Sequence, residues 1–153
     1  MNHDMNQLET WATGLLSQLT PKARRQLART IATALRRNQQ QRIAAQKSPD
    51  GETFTPRKAQ HRTRIGRIKH RAALFPKIRQ NKYLQIHSNP DSAAITFTRQ
   101  VQRLAQVHHY GLRDRVNKYG LMVRYPSRPL LGFSKTDEAL ISELVLSHLS
   151  VNR

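Results

Sequence analysis

At 153 residues the chain is sized for one domain. Its 27 Lys and Arg stand against nine Asp and Glu, a formal charge of +18, which implies a polyanionic neighbour (nucleic acid, an acidic protein surface or, less readily, a membrane) and does not suit an ordinary enzyme surface. Hydrophobic residues make up 37% and Cys is absent, which leaves a modest core, no disulfide framework and no thiolate chemistry. The stretch Met1 to Trp11 is polar and carries Asp4 and Glu9, unlike a signal peptide, and no apolar run nears the ~20 residues of a membrane span.

In chain order, Leu8, Ala12, Leu15 and Leu19 recur at helical spacing and predict a short helix over 5–19. Thr20-Pro21 is a helix start, with Thr as N-cap and Pro at the first position, and a longer helix is expected over about 21–45. Leu27, Ile31, Ala34 and Leu35 form its apolar stripe, with Lys22, Arg25, Arg29 and Arg36 half a turn away. The stripe stops at Asn38 and Arg42, so the helix end is expected to leave the chain's own core, with Ile43 available to a neighbouring subunit. Ser48-Pro49-Asp50-Gly51 is turn chemistry. Residues 57–82 carry ten Lys or Arg and no acid. That composition predicts a loop, or a helix held by outside contacts, and marks Arg57, Lys58, Arg62, Arg64, Arg67, Lys69 and Arg71 as electrostatic docking candidates. Alternation at Tyr83–His87 and Ile95–Thr98 around Asn89-Pro90-Asp91 predicts a β-hairpin. A helix over 100–110 ends on Gly111, and Leu121, Val123 and Tyr125 predict a third strand stopped by Pro126. Ser134 and Asp137 have the spacing of a capping box for a C-terminal helix. Its apolar arc is wider than one core needs, which makes Leu146 and Leu149 interface candidates.

No constellation points to catalysis. Acids are missing between Glu9 and Asp50 and between Glu52 and Asp91, so a catalytic carboxylate pair has little to draw on. His108 and His109 point about 100° apart on a helix and do not share a metal readily. Pro49-Asp50-Gly51 lacks the further glycines and Lys of a phosphate loop and reads as a tight turn. The basic tract has aromatics only at its end, which favours phosphate contacts without base readout. No metal, cofactor or small-molecule substrate is expected.

Several segments together resemble the phage virion morphogenesis family: "LTPKARRQLARTIATALRRNQQQRIAAQKSPDGETFTPRK", "VHHYGLRDRV" and "YPSRPLLGFSKTDEALISELVLSHL". The most specific pieces are Pro49-Asp50-Gly51 followed by Pro56-Arg57, the helix end His108 to Gly111, and Tyr125-Pro126-x-Arg128-Pro129-Leu130-Leu131-Gly132-Phe133. The family commonly has Gln after the first His, where this chain has His109. The resemblance implies a structural virion protein of contractile-tailed bacteriophages, without catalytic residues. Such a protein acts late in tail assembly at the head-proximal end, in the neck, and supports head–tail joining. It also implies partners among other neck and tail proteins, DNA in the lumen as a further contact, and assembly in the bacterial host cytoplasm. The expectation is therefore a single α+β domain over 1–153: a helical part (5–46), a loop and basic segment (47–82), and a small antiparallel β-sheet with a C-terminal helix (83–153). It should form a homo-oligomeric ring, by analogy a hexamer. The alternative is a free nucleic-acid-binding protein that grips the phosphate backbone through 57–82.

Overall fold

In the computed structural model the described residues are 16–58 and 72–151, with Gln7, Thr10, Thr13 and Gly14 ahead of them. Their elements, in order, are α1 (Pro21–Ala44), β1 (Leu84–Asn89), β2 (Ser92–Phe97), α2 (Arg99–Tyr110), β3 (Arg113–Arg115), β4 (Met122–Arg124) and α3 (Lys135–Val151). The class is α+β. The predicted helix over 5–19 lies largely outside the described residues; Gln7, Thr10, Thr13, Gly14 and Leu16, which are described, are helical.

The expected single sheet is instead two separate two-stranded ones, β1-β2 and β3-β4. The third strand, Met122–Arg124, pairs antiparallel with Arg113–Arg115, in the register Arg113↔Arg124, Asp114↔Val123, Arg115↔Met122. Strand β3 escaped notice because Arg-Asp-Arg carries no hydrophobic alternation; its pairing is set by the turn at Asn117. There the Asn117 side-chain carbonyl accepts from the backbone N–H of Tyr119 (3.0 Å) and Leu121 (3.2 Å).

The fold forms two compact units. One takes its described residues from the part up to Asn38, from 85–96 and from 133–151; the other comprises 39–84 and 97–132. In the first unit α1 starts as its sequence dictates, with the Thr20 hydroxyl accepting from the Ala23 N–H at 3.2 Å. Leu27, Ala28, Ala32 and Leu35 are its buried stripe. On the β1-β2 hairpin, Ile86, Ala93 and Ile95 are half-buried and alternate with exposed residues, and Arg24 reaches Asp91 of its turn at 3.6 Å. The capping box of α3 is present in both directions: Ser134 N–H to Asp137 Oδ2 at 3.0 Å and Asp137 N–H to Ser134 Oγ at 3.1 Å. Asp137 is only 1% exposed, and its other oxygen accepts from Asn38 Nδ2 of α1 at 3.0 Å.

The second unit has its own core: Ile43, Phe54, Leu74, Phe75, Ile78, Ala105 and Leu130, with Phe97 and Val101 against it. Two expectations are corrected here. The end of α1 does not leave the chain's core. Its stripe continues at i+4 spacing through Leu35, Gln39 and Ile43, and Gln39 (3% exposed) and Ile43 (0%) are both buried. The polar Gln39 disguised that continuity. Likewise Leu74, Phe75 and Ile78, placed by sequence in a segment held from outside, are core residues of this unit. What holds them is Gln46. It closes α1 in left-handed geometry (φ 60°), with Lys47 N–H bonding Arg42 O at 3.2 Å and Gln46 N–H bonding Ile43 O at 2.9 Å, a Schellman ending. Its side-chain amide then accepts from Leu74 N–H (2.6 Å) and donates to Leu74 O (3.0 Å), as a strand partner would.

Candidate functional site

The motif residues converge in the second unit, where the C-terminus of α2 meets the chain after β4. A helix end leaves carbonyls without partners, and those of Val107, His108 and His109 are answered here. The Gly111 and Leu112 N–H groups return to Val107 O, Arg128 N–H bonds His108 O at 2.7 Å, and Ser127 Oγ bonds His109 O at 2.9 Å. Gly111 sits at φ 67°, and a Cβ on it would lie 2.9 Å from Ser127 N and 3.1 Å from Tyr125 O; only glycine allows this approach. Gly132 is constrained from the other side, since its Cβ would come within 2.7 Å of Pro49 Cγ. The turn that carries Pro49 is tied by Gly51 N–H to Ser48 O (2.9 Å) and Ser48 N–H to Glu52 O (2.8 Å).

Arg128 is the centre of this cluster. It is 4% exposed and has no carboxylate partner among the described residues. Its Nε donates to Thr55 O at 2.7 Å, Nη2 to Pro56 O at 3.2 Å, and Nη1 faces His108 Nδ1 at 3.2 Å. The fixed fork of a guanidinium suits three acceptors in different directions. His108 must present a bare Nδ1 to that donor, so its proton belongs on Nε2. Burial first, then Arg128 and Arg57, lower its pKa from 6.5 to about 4, against an opposing pull from Asp114. Its ring stands edge-on between Phe75 (5.0 Å) and Tyr125 (4.7 Å). His109 uses Nδ1 to accept from Leu130 N–H at 3.1 Å. Burial and then Arg42 lower its pKa too, so the neutral, accepting ring is the stable form. A Gln in that place would offer the same acceptor.

Among the described residues no group of His, Asp and Glu is placed to hold a metal ion, and no helix is long and apolar enough to cross a membrane. Of the docking candidates, Arg62, Arg64, Arg67, Lys69 and Arg71 lie outside the described residues. Lys58 is exposed, and Arg57 is half-buried with its guanidinium on the carbonyls of Ala72 and Ala73. Of the interface candidates, Leu146 is 55% exposed and Leu149 is half-buried. Ile43 is corrected to a core residue, as above. The sequence missed Gln39, whose Oε1 accepts from Gly132 N–H at 3.3 Å and from Arg42 Nη2. Arg42 goes on to Leu130 O at 3.0 Å. The available signal was the i+4 position of Gln39 between Leu35 and Ile43.

The Arg128 guanidinium, the Ser127 hydroxyl and the Nδ1 atoms of His108 and His109 all hold chain to chain, as in a structural module. The chain belongs to the phage virion morphogenesis family, whose model matches residues 3–150. It is 38% identical over 149 residues to the tail completion protein S of Escherichia phage P2, covering 96% of this chain and 98% of that one. No solved structure matches.

Proposed function

We propose that this chain is a structural tail protein of a contractile-tailed phage, one that completes or stabilises the head-proximal end of the tail and supports head–tail joining. The observation that carries this reading is the full-length similarity to a tail completion protein. Because it spans both chains almost end to end, the role extends to the whole molecule rather than to a shared module. The residues that carry the resemblance support a role without catalysis, since His108, Gly111, Arg128 and Gly132 are all spent on internal packing and hydrogen bonds. We place the protein in the virion neck as a homo-oligomeric ring, sixfold by analogy with contractile tails, in contact with other neck and tail proteins. The cations of 57–71 face acidic neighbours or lumen DNA.

The test is a phage lacking this gene, examined by electron microscopy with and without the chain supplied from a plasmid. Unjoined heads and defective tails that are rescued by the plasmid are the expected result. Normal virions without the chain would overturn the reading. A free phosphate-backbone binder would instead be recovered on DNA in the lysate and be absent from purified particles.

A further inference from the structure

The β3-β4 hairpin carries more exposed apolar surface than its own unit uses. Leu112, Val116, Tyr119, Leu121 and Met122 are between 43% and 84% exposed. In an antiparallel pair, directly opposed residues share a face. One face therefore holds Asp114, Val123 and Tyr125, with the exposed Leu112, Val116 and Leu121 on the same side where the pairing continues: Asp114 pairs with Arg103 at 2.7 Å and Tyr125 meets the His108 ring edge-on. The other face holds Arg113, Arg115, Met122 and Arg124, all exposed. Arg113 and Arg124 stand directly opposite each other, a like-charge pairing that weakens an isolated ribbon. None of the three arginines forms an ion pair among the described residues.

On this face the exposed Arg113, Arg115, Arg124 and Met122 stand together without Lys or Glu, and Arg and Met are residue types enriched in protein interfaces. A nucleic-acid backbone would use the arginines but would leave Met122 between them wet. The counter-surface must be apolar, acidic and free of cations. In this chain Thr136–Val151 is the described stretch that fits. Its accessible acids are Glu143, exposed, and Glu138, half-buried, it has no Lys or Arg, it exposes Leu146 (55%) and Val151 (80%), and its helix C-terminus carries negative dipole charge. Glu143 and Leu146, three residues apart, share its exposed side.

We propose that the Arg113/Arg115/Arg124 face of the β3-β4 hairpin docks on the Glu143–Leu146 side of α3 in a second copy of this chain. This rests on the ring reading above and deepens it by naming both halves of the contact. The two patches differ, so the contact is head-to-tail, the kind that closes into rings.

The experiment measures self-association of the full chain by sedimentation, with circular dichroism as the folding control. Arg113→Glu/Arg124→Glu and, separately, Glu143→Arg should each weaken association by about tenfold or more with unchanged folding. Mixing the two variants, or joining both changes in one chain, should restore association, because each reversed charge then meets its complement. A monomeric wild-type chain, or charge reversals that are never rescued, overturns the proposal. So does a hairpin variant that assembles normally while losing affinity for mixed-sequence duplex DNA. If rescue fails but the wild-type chain still complements the gene deletion, the contact is wrong and the tail function stands.

Discussion

Arg128 sets the tolerance of the motif cluster at the scale of single residues. Removing this buried charged donor takes the partner from Thr55 O, Pro56 O and His108 Nδ1. Arg128→Met should therefore destabilise the second unit by about 2–4 kcal/mol in denaturant melts, and Arg128→Lys should recover little because an ammonium cannot fork. Gly111→Ala is expected to cost about 1–3 kcal/mol, since it meets both a positive φ and backbone atoms of Tyr125 and Ser127. His108 brings a pH dependence with a definite sign. Its folded pKa of about 4 lies below the ordinary 6.5, so between those values the unfolded chain binds a proton that the folded one refuses. Stability should fall as pH drops from about 6.5 towards 4, by at most ~1.4 kcal/mol per pH unit, with His109 adding in the same direction. His108→Gln keeps an acceptor and should flatten that slope in melts across the range. His109→Gln should leave stability at neutral pH nearly unchanged, whereas His109→Leu should lower it by stranding the Leu130 N–H.

Among the elements, α3 shows most directly what local chemistry fixes. Ser134 and Asp137 cap it reciprocally, and Asp137 also anchors Asn38. Ser134→Ala should cost about 1 kcal/mol, and Asp137→Ala more, because it frees two partners at a buried position. These caps were legible in the sequence, as were α1 with its Thr20-Pro21 start, the β1-β2 hairpin and Gly111 as the end of α2, because each depends on residues within one turn of each other. What was illegible depends on distant partners. Gln46 reads as an ordinary polar residue until Leu74 is laid beside it. Gln39 breaks an apolar stripe on paper yet is buried, because Gly132 N–H and Arg42 satisfy its oxygen. Gly132 itself was legible as a motif residue, but not that Pro49 fills the space its side chain would need. Strand β3 was invisible for a related reason: its pairing comes from a turn and a partner strand, not from a pattern of its own.

At the scale of the whole molecule, charge is strongly segregated along the chain. Lys22 to Lys135 holds 26 of the 27 Lys and Arg but only four of the nine acids, and Thr136–Val151 holds three acids and no cation. Such segregation favours association of unlike ends over aggregation of like ones. It also leaves the tract around Arg62, Arg64, Arg67 and Lys69 without a carboxylate nearby in sequence, Glu52 and Asp91 being the nearest on either side. Arg57 binds the carbonyls of Ala72 and Ala73. One exposed ion pair is worth about 0–1 kcal/mol, but the ring proposed above would repeat the contact in every subunit. Replacing Arg62, Arg64, Arg67 and Lys69 together with Gln should leave the melting temperature unchanged and reduce head–tail joining in extracts. The defect should deepen as salt rises, because screening weakens whatever contacts remain. Because Arg57 is left intact, a fall in melting temperature would mean that the tract stabilises the fold itself. Normal phage yield from the quadruple variant would remove the docking role and leave the tract as a solvated basic surface.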